Sequence, residues 1–403
     1  MSLIVQKFGG TSVGSPERIQ KVAKRIAHAH QAGDQLVVVV SAMGHSTDEL
    51  IELAHAVSKQ PPHREMDMLL SAGERISMAL LSMALADCKV PALSLTGSQT
   101  GIITDASHRR ARIQRILGDR VRAALSDGKV VIVAGFQGVS ENREITTLGR
   151  GGSDTTAVAL AAALRADRCE IYTDVDGVFS ADPRLVEDAQ VWDQIPHDLM
   201  VELATRGAGV LHPRSVELAK QFGVQLVVKN SLKESRGTVV VSRLAESQQK
   251  KGMEEFAVVG VSADTNKMFI ELELTRPTVV GALWDQAAHS HLSVIAPVFS
   301  KSTVCFYSDS DAEGEWKKIL EHLSTEGYVK EFNLRPEIVP LSVVGDRFSQ
   351  DGLALAQVLD CLARVQVEVV LGSASALAIT VGVAKSQVEQ GVHALHSEFM
   401  GRK

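Results

Sequence analysis

Across residues 1 to about 240, short apolar runs alternate with helical patterns, and few folds satisfy that rhythm. Repeated strand, covering helix and strand give a mainly parallel α/β sheet sandwiched by helices. The strand candidates are Leu3–Phe8, Leu36–Ser41, Ala92–Leu95, Val130–Ala134, Glu170–Thr173 and Gln225–Lys229. One helix is expected from Pro16 to Ala32, with Ser15 as N-cap, Pro16 at the first position and Gly33 as the stop. A longer one is expected over Met66 to Cys88, with Leu69, Leu70, Gly73, Ile76, Ser77, Leu80 and Leu81 near one face.

Beyond Val241 the rhythm changes. The polar stretch Arg243–Gly252 has no core pattern and reads as a linker. The expected boundaries are a first domain at 1–242, a linker at 243–254, and two small domains at 255–335 and 336–403. In the first small domain, strands are expected at Phe256–Val261, Met268–Leu274, Ser293–Val298 and Ser302–Tyr307, and helices at Val279–His289 and Glu313–Glu326. A similar order returns after Pro336: strand Ile338–Val344, helix Leu353–Arg364, strands Gln366–Leu371 and Ala376–Val383, helix Lys385–Phe399. This is the pattern of two ferredoxin-like βαββαβ units in tandem, whose strands can interleave.

Composition removes several function classes. A net charge of -6 argues against a nucleic-acid partner held by bulk electrostatics, and 4% aromatic residues leave little for base stacking. Cys88, Cys169, Cys305 and Cys361 are scattered with no Cys-x-x-Cys, so they read as reduced thiols of a cytoplasmic protein. The first strand begins at once, leaving no room for a signal peptide. No uninterrupted apolar run is expected to span a bilayer, so no membrane partner is expected either.

The chemistry concentrates in three motifs. Lys7-Phe8-Gly9-Gly10-Thr11-Ser12 sits where the first strand breaks toward a helix. Glycines there let backbone N–H groups approach an anion, the helix N-terminus adds positive potential, and a lysine suits phosphoryl transfer. The second motif, Thr147-Leu148-Gly149-Arg150-Gly151-Gly152-Ser153-Asp154, precedes the apolar helix Ala157–Ala166. Ser153 or Asp154 is expected to cap it, Arg150 suits bidentate carboxylate or phosphate recognition, and Asp154 can orient Lys7 or a catalytic water. An ordinary capped glycine turn has the same composition, so this motif alone decides nothing. The third, Tyr172-Thr173-Asp174-Val175-Asp176-Gly177 through Asp182-Pro183-Arg184, follows a strand end. Its Asp-x-Asp-Gly start imitates a calcium loop, but Leu185 stands where the loop needs glutamate. Ser41, Thr47 and Glu74 are smaller signals, with a solvated helix face as the ordinary reading of Glu74. None of the 13 histidines has metal-ligand spacing, and no Gly-x-x-x-x-Gly-Lys-Ser/Thr occurs, so neither a metal site nor a P-loop is expected.

Together, in this order and spacing, the three motifs resemble the aspartate kinases, within the amino-acid-kinase fold. The resemblance is close over residues 1 to about 242 and looser beyond, where it is to tandem ACT domains. It implies ATP-dependent phosphorylation of the L-aspartate side-chain carboxylate, with Mg²⁺ carried by the nucleotide. That reaction opens the route to lysine, threonine, methionine and diaminopimelate. It implies Lys7 and Asp154 as catalytic residues. Lys7, Phe8, Gly9, Gly10, Ser41, Thr173, Asp174, Phe179, Asp182, Arg184 and Lys229 would border ATP. Thr47, Glu74, Arg150, Gly151, Gly152 and Ser153 would hold aspartate, Glu74 taking its ammonium and Arg150 with Ser153 its carboxylates. It also implies a homodimer or higher oligomer through the ACT domains, with an amino-acid effector such as lysine or threonine.

Some positions depart from the family pattern. Gly209 stands where a lysine is usual near the phosphates, with Arg206 and Arg214 as the nearby cations. Losing one charged phosphate contact costs about 1.5–3 kcal/mol. Phe179 replaces a usual tyrosine and Ser98 a usual tryptophan. In the ACT region, Ile295, Phe299 and Ser375-Ala376-Leu377-Ala378 replace polar residues, which predicts lost or altered lysine and threonine feedback. Met253 matches an internal start that yields a separate small subunit in some relatives. Two other readings compete: another amino-acid kinase, such as one acting on N-acetylglutamate, and a catalytically weak amino-acid sensor subunit.

Overall fold

The computed structural model describes residues 1–242, 257–290, 292–348 and 352–401. The expected linker and Met253 lie outside the described residues. The chain divides into two compact units, one built from residues 1–178, 191–200 and 210–242, the other from 179–190, 201–209 and the described residues beyond 256.

The first unit is organised on an eight-stranded sheet. Its strands lie in the order Gln194–Pro196, Thr238–Val241, Leu226–Asn230, Arg168–Thr173, Leu3–Phe8, Gln35–Val40, Val130–Ala134 and Ala92–Leu95. All pairs but Leu226–Asn230 with Thr238–Val241 are parallel. The central strands are apolar on both faces because helices cover both: Leu36 to Val40 and Val130 to Ala134 are fully buried. The helix Pro16–Gln31 starts as its sequence dictates, with the Ser15 side chain accepting from the Arg18 amide and Pro16 in the first turn. Its Ile19, Val22, Ala23 and Ile26 fill the core beside Leu81 and Leu85.

The expected long helix is two helices, His63–Leu70 and Ala72–Asp87. The Ser71 carbonyl accepts instead from Gln137 Nε2 at 2.9 Å. By length and composition His63–Asp87 would pass for a membrane-crossing helix, but it is amphipathic packing that uses it: Leu70, Leu81 and Leu85 are buried in this unit.

A second, smaller sheet was not legible in the sequence. It orders Ile113–Ile116, Ile102–Thr104, Gln137–Ser140 and Ile145–Thr147. Its strands are only three or four residues long, too short for a periodicity to declare itself.

The second unit holds two four-stranded antiparallel sheets. One comprises Ile295–Phe299, Thr303–Asp309, Lys267–Leu274 and Val329–Arg335. The other comprises Ala257–Ala263, Ile338–Asp346, Ala378–Ala384 and Gly372–Ala374. The strand that precedes the first sheet in sequence is thus an edge of the second, and the two small domains interleave. The strand expected at Gln366–Leu371 lies at Gly372–Ala374 instead. The Val367 amide closes onto Leu362 O, and Gln387 takes the Gln366 carbonyl and the Glu368 amide, so residues 366–368 are occupied away from a ladder, while Val370 N and Leu371 O reach Gly382 of the neighbouring strand. The loop Phe179–Gln190 also packs here: Ala181 and Val186 share a core with Val261, Leu341 and Leu395.

Candidate active site

Three central parallel strands end side by side at the carboxyl-terminal side of the larger sheet. Phe8 pairs with Val40 on one side and Tyr172 on the other, so Gly9 and Ser41 leave the sheet together beside Thr173, the last residue of its strand. Leu3–Phe8 is also where the strand order turns, later strands filling first one side of it and then the other. Loops at such a switch point form the crevice in which α/β folds hold ligands.

Lys7 reaches Asp154 there, with Nζ 2.6 Å from Oδ1 and both side chains largely shielded, 14% and 11% exposed. Asp154 lies in the first turn of the helix Gly152–Leu164, whose residues are buried through Ala161. The expected side-chain cap is absent: Gly151 is the N-cap, and Ser153 and Asp154 lie inside the first turn. Their side chains are therefore left for other work. The partial positive charge of the helix start favours an anion at this end.

The glycines of the opening motif act differently from expectation. The Gly9 amide donates to the Tyr172 carbonyl at 3.3 Å. Gly10 is required by close packing, because a Cβ there would lie 2.9 Å from the Ala42 carbonyl and 3.1 Å from that of Gly44. Phe8 is fully buried and stacks on Tyr172 with ring centroids 4.6 Å apart. Only its backbone can face a ligand.

Glu74 is not a solvated face residue. It is 3% exposed and sits in the first turn of Ala72–Asp87. Oε1 accepts from the Ala42 amide at 3.2 Å, while Oε2 is buried without a hydrogen-bond partner. Burial raises its pKa to about 7, against the hydrogen bonds from the Glu74 and Ala42 amides. Thr47 is half-buried in the first turn of Ser46–Val57, on the same segment that follows Ser41.

Arg150 stands exposed between two glycines of positive φ, Gly149 at +76° and Gly151 at +67°. At Gly151 a Cβ would fall 2.1 Å from the His212 ring. Gly152 packs on Phe136, and a Cβ at Gly135 would strike Ser153 Oγ at 2.7 Å. Four glycines thus set how closely the Arg150 turn approaches the strand ends.

The residues expected to border ATP fall in both units. Thr173 Oγ1 donates to Asp174 Oδ1, and Asn230 holds the same loop through Asp174 O and Asp176 Oδ1. Lys229 turns to Glu170, 2.8 Å away. Burial alone would raise the Glu170 pKa, but Lys229, Arg168 and Gln6 outweigh it and hold it at about 2. Phe179, Asp182 and Arg184 belong to the second unit, where Arg184 pairs with Asp182 at 2.6 Å and lowers its pKa. Arg214 donates to the Leu148 and Ala111 carbonyls and Arg206 to Glu202, so both cations near Gly209 have other partners. Among the described residues no cluster of three or more His, Cys, Asp or Glu side chains is arranged to hold a metal. Sequence reasoning missed Glu170, Asn230 and Asp67, each polar and buried in an apolar context that carries no motif.

Residues 2–230 match the amino acid kinase family. Over 418 residues the chain is 43% identical to the aspartokinase of Bacillus sp. strain MGA3, spanning 99% of this chain and 97% of that one. Of solved structures, aspartate kinase from Synechocystis is 41% identical with a TM-score of 0.56, covering 99% of this chain and 69% of its own. Aspartokinase III of E. coli, in complex with aspartate and ADP, superimposes with a TM-score of 0.86 at 24% identity, over 98% of this chain and 99% of its own.

Proposed function

The chain belongs to the aspartokinases of the amino acid kinase family, and from that premise we propose that it transfers the γ-phosphoryl group of ATP to the side-chain carboxylate of L-aspartate. The observation that carries the substrate is Glu74: one buried oxygen is tied to the amide of Ala42, which follows the strand paired with that of Lys7, and the other is without a partner. A buried carboxylate oxygen in that state suits an ammonium group.

The aspartate carboxylate is itself the nucleophile, so no general base is needed. Its oxygen forms a bond to Pγ as the bond to the β,γ-bridging oxygen breaks, and ADP leaves with that electron pair. Lys7 offsets charge on the phosphoryl oxygens in flight, and Asp154 fixes the ammonium of Lys7 in place. Arg150 and Ser153 hold the substrate carboxylates, with Gly151 and Gly152 giving close approach and Thr47 bordering the amino-acid side. Gly9, Gly10, Ser41, Thr173, Asp174 and Lys229 border the nucleotide, and Phe179, Asp182 and Arg184 complete its loop. Mg²⁺ would be carried by the nucleotide and would supply neutralisation of phosphate charge.

We assign catalysis to residues 1–242, and effector binding and pairing of subunits to the two ACT-like domains, with the reaction in the cytoplasm. Ile295 and the exposed Phe299 lie on one strand there, and Ser375 Oγ is bonded to Ala378, so these positions offer little for a zwitterion. Lysine and threonine feedback is accordingly lost or altered, and calorimetry giving tight lysine binding with strong inhibition contradicts this. An N-acetylated substrate would leave Glu74 without its cation, which disfavours that alternative. A hydroxamate-trapping assay with ATP, Mg²⁺ and L-aspartate, glutamate or N-acetylglutamate tests the substrate; acyl phosphate from aspartate alone is expected.

A further inference from the structure

Asp67 is fully buried, yet it belongs to none of the three motifs and touches neither Lys7 nor Glu74 in the hydrogen-bond network. It lies on His63–Leu70, immediately before the helix that carries Glu74. Its carboxylate gathers two separate pieces of chain onto its own helix. Oδ1 accepts from Thr147 Oγ1 at 2.5 Å and from the Arg109 amide at 3.0 Å; Oδ2 meets His108 Nδ1 at 2.7 Å and the same amide at 3.2 Å.

The placement of those partners gives Asp67 its meaning. Thr147 ends its strand three residues before Arg150. Arg109 has a φ of +69°, and its carbonyl lies 2.9 Å from where a Gly149 Cβ would be. The turn at Arg109 is therefore the surface on which the Gly149 turn is seated. A non-glycine residue in this conformation persists only where its surroundings hold it. Asp67 holds it through the amide, and Ala111 N donates to Thr147 O at 2.9 Å to close the same loop.

We propose that Asp67 is the positioning residue of the substrate carboxylate clamp. It fixes the distance between the Arg150 turn and the helix bearing Glu74, and so sets the fit of an amino acid with its ammonium at one end and carboxylates at the other. This rests on the reading of Arg150 and Glu74 as the aspartate contacts. Asp67 itself does not meet the substrate or the nucleotide.

The test is steady-state kinetics of full-length Asp67→Asn, Thr147→Val and Thr147→Ser beside the wild type, with thermal denaturation of each. Losing a hydrogen bond to a buried carboxylate is expected to raise KM for aspartate about tenfold or more in Asp67→Asn and Thr147→Val. KM for ATP should stay within about twofold, because the strand-end contacts are not disturbed. Thr147→Ser keeps the hydroxyl and should restore KM for aspartate to near the wild-type value. Thr147→Val removes a single bond and should remain folded even if Asp67→Asn does not. An unchanged KM for aspartate in Thr147→Val, or equal rises in both KM values, overturns the proposal. A wild type that makes no acyl phosphate from aspartate overturns the reading of the site instead.

Discussion

Replacing Glu74 by Gln should make the ligand-free enzyme more stable at alkaline pH while removing its grip on aspartate. The magnitude follows from burial. A carboxyl that titrates at about 7 rather than 4.5 is held in its neutral form by the fold. Its folded pKa is raised, so its contribution is fully present below pH 4.5 and is lost as pH rises through 7. At about 1.4 kcal/mol per decade, full ionisation costs roughly 3 kcal/mol, of which about 2.5 kcal/mol falls between pH 5 and 8. Gln keeps the bond from the Ala42 amide and has nothing to ionise; its unmatched NH₂ adds an offset that does not vary with pH. The stability of the variant relative to the wild type should therefore rise by about 2.5 kcal/mol from pH 5 to 8, roughly 5–10 °C in Tm for a unit of this size. Differential scanning calorimetry at both pH values, without ligand, reads this directly. In the wild type, KM for aspartate should fall about tenfold from pH 6 to 8 as the carboxylate forms, and the variant should lack that slope. A difference between the two proteins that is flat in pH, or a variant with wild-type KM, refutes the argument.

Three further outcomes are expected. Lys7→Ala should lower kcat about 10²–10³-fold in the hydroxamate assay, with KM for aspartate nearly unchanged, since its charge acts on the group in flight; an unaltered kcat removes Lys7 from the mechanism. Gly151 and Gly223 share a φ near +66°, but a Cβ at Gly223 meets nothing within 4 Å, whereas at Gly151 it meets the His212 ring. Gly223→Ala should cost about 1–2 kcal/mol and Gly151→Ala several kcal/mol with loss of aspartate binding, measured by chemical denaturation; equal costs contradict the packing account. His396 is buried with Nε2 on Ser180 Oγ at 2.9 Å, and burial lowers its pKa despite Asp188 at 3.8 Å from Nδ1. Stability from this group is present above the usual histidine value of 6.5 and lost as pH falls below it. His396→Gln should flatten that loss in a pH series of thermal melts, and an unchanged slope removes His396 as its cause.

Much of this fold is legible in the sequence because its core strands are long and apolar on both faces. Strands such as Gln35–Val40 and Val130–Ala134 have no other stable home. The helix from Pro16 declares itself through Ser15 and Pro16, and Leu353–Arg364 through its periodic apolar face. The break at Ser71 is not local: it depends on Gln137, 66 residues away in sequence. The small sheet and the Asp67 network are also assembled from distant pieces, so no window of sequence contains their cause. At the site, residue type alone marks Lys7, Arg150 and Asp154, whereas Glu74 reads as a surface acid in the sequence and is buried in the structure. The glycines read in the sequence as anion-facing turns; the structure gives several of them a steric duty instead.

The central claim is that Glu74 reads a free ammonium while Lys7 assists transfer to a carboxylate. Acyl-phosphate formation from L-aspartate against N-acetyl-L-aspartate, trapped as hydroxamate under identical ATP, tests it most directly. The account predicts product from L-aspartate and none above background from the acetylated acid, which keeps both carboxylates and carries a neutral amide in place of the ammonium. Comparable rates from the two would contradict it.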